Sequence, residues 1–179
     1  MSVGNVFLTI LDKTNVITIV LCACACLYTR SAGVLYFCTG AVGCSLSVKL
    51  VKRVLKQPRP EVTKQPGRRK KKSYGMPSTH SASIAYIGTV VALGCARLPT
   101  HPSFPAWVAK YAWVPALGWT GVVSISRIWL GHHTKKQVAV GCLYGVGFAL
   151  CWFSLWTRSL QMYGHALEAR VPQALRWAK

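Results

Sequence analysis

Long stretches without a charged side chain, separated by short basic clusters, constrain this chain more than any other feature. Cutting the sequence at every Lys, Arg, Asp and Glu leaves uncharged runs at 14–29, 31–48, 73–96, 98–109, 111–126 and 137–157, with Lys110 alone dividing the two between 98 and 126. A helix rises about 1.5 Å per residue and a bilayer core is about 30 Å thick, so a membrane span takes roughly 17–25 residues. On that rule 31–48, 81–98, 105–126 and 137–157 are spans. The run 14–29 is a fifth, which either tilts little or borrows 6–11 across Asp12 and Lys13. The expected fold class is all-α, a polytopic membrane helical bundle of about five transmembrane helices. The alternative, a soluble all-α protein with buried helices, leaves too little polar surface in a chain that is 52% hydrophobic.

The charge that does occur is one-sided, 22 Lys and Arg against 3 Asp and Glu, and half of the basic residues fall within 49–72. Such a loop reads as a topology signal or as a patch for anionic lipid headgroups. The headgroup reading suits the run Arg68, Arg69, Lys70, Lys71 and Lys72. Nucleic-acid binding fits poorly, because the aromatic residues lie mostly in the apolar runs rather than among the basic ones. The eight cysteines also lie in apolar runs and form no CxxC pair, which weakens disulfide-scaffold and zinc readings. Cys22, Cys24 and Cys26 are expected to point in different directions on a helix and to serve as small packing residues. No cleavable signal sequence stands out.

Three short motifs sit at the ends of the apolar runs: Lys52 to Arg59-Pro60, Pro77-Ser78-Thr79-His80, and Ser126-Arg127 followed by His133. Followed through the membrane, the chain brings all three to one face. Lys52 and Arg59 are seven residues apart, two helical turns if the helix continues, whereas Pro58 argues that it stops and lets Arg59 bend inward. Pro77–His80 reads as a turn feeding a helix, with Ser78 or Thr79 as its cap and outward-aimed N–H groups able to hold an anion. Arg127 lies six residues before His133. His133 and Gln137, four apart, would share a helical face, so that Gln137 takes the Nδ1–H and leaves Nε2 as a free lone pair. Each motif alone also has a bland reading: chance basic residues in a basic loop, a helix cap, an interfacial histidine.

The ordered triplet resembles the three-part signature of the type 2 phosphatidic acid phosphatase superfamily, which includes the vanadium haloperoxidases, and the resemblance covers roughly 49–157. Two positions depart from the usual pattern: Thr79 stands where a glycine is usual, and Gln137 where an Asp is usual. With Tyr74–His80 and His133–Val138, the chain is most similar to the dolichyl diphosphatase branch, which also carries Gln there.

The resemblance implies metal-independent phosphoryl transfer without a cofactor. His133 would be the nucleophile, His80 the general acid and base, and Gln137 the group that orients His133. Lys52, Arg59, Ser78, Thr79 and Arg127 would bind the phosphate. Asp12, Glu61 and Glu168 are the only carboxylates, and none has motif spacing to His133, which speaks against a two-carboxylate metal site.

The expected function is hydrolysis of a polyisoprenyl diphosphate, dolichyl diphosphate first, through a phosphohistidine. Alternatives are a phosphatidate or other lipid phosphate phosphatase, and an inactive lipid-binding scaffold. Gln137→Asp is expected to be tolerated. Residues 1–157 are expected to form one membrane-embedded domain, and 158–179 a basic tail that is either an amphipathic surface helix or frayed, with Gly164 and Pro172 counting against a long regular helix. The positive-inside rule puts the motifs in the cytosol, whereas the resemblance implies the lumen of the endoplasmic reticulum.

Overall fold

The computed structural model describes residues 11, 13–60, 73–102 and 104–177, and these form helices and connecting loops without a strand. The helices are α1 (Thr14–Thr29), α2 (Ala32–Leu55), α3 (Thr79–Arg97), α4 (Ala106–Tyr111), α5 (Trp113–Trp129) and α6 (Lys135–Leu155). A π-helical turn at Trp156–Leu160 then leads into α7 (Gln161–Trp177). The basic run 68–72 lies outside the described residues.

The helices form a membrane-spanning bundle whose polarity is inverted relative to a soluble protein. Ile19, Leu50, Val54 and Leu143 are more than three-fifths exposed on the outside, while Lys52, Ser78, Arg127, His133 and Gln137 are buried within. Among the described residues, three helical stretches are long and apolar enough to cross a bilayer: Ala32–Leu55, Thr79–Arg97 and Lys135–Arg170. The remaining two expected spans are shorter. Helix α1 has 16 residues and α5 has 17, about 24–26 Å at 1.5 Å per residue.

The expected single span at 105–126 is broken at Ala112 into α4 and α5. Pro115 explains the break, because it has no N–H to return to the carbonyl four residues earlier and its ring crowds that turn. Helix α2 outruns its apolar stretch and carries Lys52 in its last turn, stopping at Leu55 with Lys56 in the left-handed conformation. Pro58 biases Gln57 away from helix, so the chain leaves α2 there and turns back over the bundle end.

Helix α3 lies at the centre and packs against α2, α5 and α6. Its approach to α6 is backbone to backbone. A Cβ on Gly145 would meet the Ala82 carbonyl at 2.1 Å, and one on Gly141 would meet the Ser78 carbonyl at 2.7 Å. This Gly-x-x-x-Gly pair removes the side chains that would otherwise separate the helices, and it fixes the start of α3 against the start of α6.

The path from α6 into α7 runs through the 157/158 boundary without a break. Glu168 accepts hydrogen bonds from Ser31 Oγ, at 2.8 Å, and from the Ala32 backbone N–H, so α7 caps the start of α2. Gly164 belongs in this helix for a packing reason: a Cβ there would lie 2.4 Å from the Trp156 ring. The tail is therefore helical and docked on α2.

Candidate active site

The last turns of α2 and α5 and the first turns of α3 and α6 meet at one end of the bundle, and a short loop at 73–77 folds over them. The Gly75 N–H donates to the Gln57 carbonyl at 2.8 Å, and the Ser78 N–H donates to the Gln137 carbonyl at 3.1 Å. These two bonds tie the connection after α2, the entry to α3 and the start of α6 into one unit.

His133 precedes α6 rather than lying on it. Thr134 is the N-cap, and Gln137 completes a capping box with it: Thr134 Oγ1 accepts from the Gln137 N–H at 3.3 Å, while Gln137 Oε1 accepts from the Thr134 N–H at 3.2 Å. The expected pairing through a shared helical face is thus replaced by a cap, and the contact survives: His133 Nδ1 lies 3.3 Å from Gln137 Oε1. Since an amide oxygen only accepts, Nδ1 carries the proton and Nε2 keeps its lone pair. The same amide donates through Nε2 to the Pro58 carbonyl at 2.9 Å and to Gln57 Oε1 at 3.3 Å. Gln137 therefore both accepts and donates. An aspartate is one methylene shorter and donates nothing when ionised, which argues against the tolerance of Gln137→Asp expected from sequence.

Arg59 closes the site over His133. Its Nη1 lies 3.2 Å from His133 Nε2 and donates to the His132 carbonyl at 3.0 Å. Its Nε and Nη2 donate to Ser73 O and Ser73 Oγ, each at 2.8 Å. The guanidinium faces the nitrogen with the lone pair, where an attacked phosphoryl oxygen would need a cation.

Ser78 caps α3 and is fully buried, its Oγ accepting from the Ser81 N–H at 3.4 Å and contacting Ser81 Oγ at 3.0 Å. Thr79 and His80 follow in the first helical turn, half-buried, where backbone N–H groups have no carbonyl inside the helix. In both bonds Ser78 Oγ accepts, so its own O–H, like the backbone N–H groups after it, is a candidate donor to an anion.

Among the described residues, Arg127 is the largest fully buried side chain. Its backbone carbonyl accepts from the N–H groups of His132 and His133 at 3.0 and 3.2 Å, which places the two motif members side by side. Its guanidinium donates to Ser126 Oγ at 3.0 Å and to the Leu11 carbonyl.

Burial pushes the His133 imidazole well below the ordinary histidine value, to about 3, and the nearby charges of Arg59 and then Lys52 push it the same way; its contacts with Gln137 and the Gly75 backbone oppose this. His133 is therefore neutral at physiological pH, the state a nitrogen nucleophile would need. Burial also lowers Arg59, which remains a cation. Lys52, 6% exposed, completes the positive surround. Among the described residues no group of three His, Cys, Asp or Glu side chains could hold a metal ion.

Sequence reasoning missed Gln57 and Ser73, and gave Gly75, within Tyr74–His80, no packing role. A Cβ on Gly75 would fall 2.4 Å from Gln137 Nε2 and 2.8 Å from the Pro58 carbonyl. The signal available was a glycine and a serine in the turn just ahead of Pro77.

Comparison with known proteins gives one family and several relatives. The PAP2 superfamily matches residues 32–161. Human Dolichyldiphosphatase 1 is 34% identical over 109 residues, 58% of this chain and 44% of its own length. Lipid phosphate phosphatase epsilon 1, chloroplastic, from Arabidopsis thaliana, is 26% identical over 145 residues, 81% of this chain and 47% of its own length. The chain thus spans less than half the length of these two relatives. The fold is similar to that of a transmembrane PAP2 type phosphatidylglycerolphosphate phosphatase from Bacillus subtilis, with a TM-score of 0.69 at 19% identity, covering 89% of this chain and 79% of that one.

Proposed function

The chain belongs to the PAP2 superfamily, and from that membership we infer that it is an integral membrane phosphatase acting on a lipid phosphate. The observation that carries this reading is a buried, neutral His133 whose Nδ1 is held by Gln137 and whose Nε2 faces the Arg59 guanidinium at 3.2 Å.

In the mechanism the phosphate oxygens take the Arg59 N–H away from Nε2, which frees the lone pair. Nε2 then attacks phosphorus, a P–N bond forms, and the P–O bond to the leaving group breaks as His80 gives that oxygen a proton. His80 next takes a proton from water, the water oxygen attacks phosphorus, the P–N bond breaks, and inorganic phosphate leaves with His133 neutral again. Lys52, Arg59, Arg127, Ser78 and the N–H groups at Thr79 and His80 stabilise charge on the equatorial oxygens. Phosphoryl transfer depends mainly on such positioning and charge stabilisation.

The substrate is a polyisoprenyl diphosphate, dolichyl diphosphate first, converted to the monophosphate in the endoplasmic reticulum. Three features support this: the glutamine at 137, the relative named Dolichyldiphosphatase 1, and a site whose described residues hold several cations and no carboxylate, which suits a diphosphate. Residues 1–157 act as the membrane-embedded catalytic domain, 158–179 form a basic extension, and Arg68–Lys72 bind anionic headgroups. The relative named lipid phosphate phosphatase favours phosphatidate as the second reading. The test is phosphate release by the purified protein in detergent with EDTA present, from each substrate, beside His133→Ala. Release from dolichyl diphosphate that the variant abolishes supports the first reading. Faster release from phosphatidate replaces the substrate, and no release from either refutes the enzyme.

A further inference from the structure

The Arg127 guanidinium is anchored from outside the family-matched residues. Residues 32–161 supply the Ser126 Oγ contact, but the carbonyl that takes Arg127 Nη2 is that of Leu11, ahead of α1. That carbonyl is itself fixed twice. Thr14 Oγ1 donates to it at 2.6 Å. The Leu11 side chain, fully buried, sits among Ile84, Val123 and Trp119. Ile84 lies one turn beyond His80 on α3, and Val123 one turn before Arg127 on α5, so Leu11 is wedged between the helices that carry these two residues. Thr14 is also buried, at 3% exposure, and its hydroxyl bond stays inside the protein.

We infer that Leu11 and Thr14 are positioning residues for the reaction: they hold the Leu11 carbonyl against Arg127 and so set where its guanidinium stands for the phosphate. A long side chain with four rotatable bonds needs such anchors to be pre-organised, and an active-site cation displaced by an ångström loses much of its effect on the transition state. The inference rests on the phosphatase reading only in taking Arg127 as a phosphate ligand.

The experiment uses the full chain in detergent and measures binding of inorganic vanadate by calorimetry, together with kcat, KM and Tm. The variants are Thr14→Val, which keeps the shape and removes the donor, Thr14→Ser, which restores it, and Leu11→Ala. Phe153→Leu is the control for ordinary core loss, since Phe153 is buried at the other end of α6. Thr14→Val and Leu11→Ala are expected to weaken vanadate binding on the order of tenfold, the scale of one impaired hydrogen bond to a charged group, and to lower kcat more than they raise KM. Thr14→Ser should bind as the native protein does, and Phe153→Leu should lower Tm with vanadate affinity unchanged. Native affinity in both Thr14→Val and Leu11→Ala, or a loss in Phe153→Leu matching theirs, overturns the inference. No vanadate binding by the native protein overturns the phosphate-site reading and this inference with it.

Discussion

Replacing Gln137 by Glu tests the electrostatics of the site most directly, because the two side chains have the same shape and differ in charge and in donors. An ionised Glu would keep the acceptor for His133 Nδ1 at 3.3 Å and add a full negative charge beside it. At that separation and an effective dielectric of about 20, the attraction for an imidazolium is about 5 kcal/mol. Since 1.36 kcal/mol corresponds to a tenfold change in protonation, this raises His133 from about 3 to near the ordinary histidine value of about 6.5. His133 is then largely protonated at pH 5, where only about one molecule in thirty keeps the Nε2 lone pair. In the native protein His133 is neutral at that pH.

The assay is the pH profile of kcat/KM for phosphate release, taken as the ratio of variant to native so that titration of the substrate cancels. The ratio should fall about thirtyfold between a plateau above pH 8 and pH 5. The plateau itself should lie below native, because the carboxylate loses the amide donors to Pro58 and Gln57, each unmade buried bond costing about 1–3 kcal/mol. A ratio independent of pH would refute the argument, since His133 would then not be the group that must stay unprotonated, or Gln137 not its neighbour in the working enzyme.

Gly75→Ala should lose most activity while the helices remain folded, because the added Cβ falls 2.4 Å from the Gln137 amide and displaces it from His133; kcat beside the helical circular dichroism signal checks this. Ser73→Ala removes one of the two Ser73 contacts to Arg59 and should raise KM severalfold, about 1–2 kcal/mol for a hydrogen bond from a charged donor, as steady-state kinetics would read. Gly145→Leu should prevent assembly of α3 on α6, since even a Cβ meets the Ala82 carbonyl at 2.1 Å, and it is expected as loss of the monodisperse species in size-exclusion chromatography. Lowering pH from about 6.5 toward 3 should destabilise the native protein: with His133 depressed to about 3, the unfolded chain binds the proton first and stability falls through that window. His133→Asn should flatten this part of the Tm-against-pH curve.

The helical class and the shared end for the three motifs were legible because both follow from where charge is absent. A run without Lys, Arg, Asp or Glu cannot be a loop facing water for long, and the order of such runs dictates which ends coincide. Motif order singled out Lys52, Arg59, His80, Arg127, His133 and Gln137 as candidates, and the structure brings Arg59, Arg127 and Gln137 into contact with His133. What the sequence did not carry is how these residues are held. The break at Ala112 comes from Pro115 inside an uncharged stretch that charge-cutting treats as uniform. The clamp of Ser73 on Arg59 and the bond from Leu11 to Arg127 join positions 14 and 116 residues apart, and no periodicity encodes such pairs. The helix through Gly164 was hidden because glycine is a poor helix former in isolation, whereas here the Trp156 ring occupies the space a Cβ would need.

With His133 as the proposed nucleophile, a neutral partner for it follows from the charge of the site. Lys52 and Arg59 already oppose protonation of His133, so the free enzyme keeps a lone pair at Nε2 without help. A carboxylate at 137 would offset those cations, make His133 easier to protonate, and weaken the field that draws in an anionic headgroup. A carboxylate is useful where the histidine must carry positive charge later in the reaction. In the proposed mechanism, the transferred phosphoryl group would supply that negative charge itself, directly on Nε2 and within reach of Arg59. Gln137 needs only to fix the tautomer and the ring, which it does through Oε1, while its amide donors bind the connection after α2 to the start of α6. The glutamine thus holds His133 and the connection after α2 without adding a negative charge beside Lys52 and Arg59.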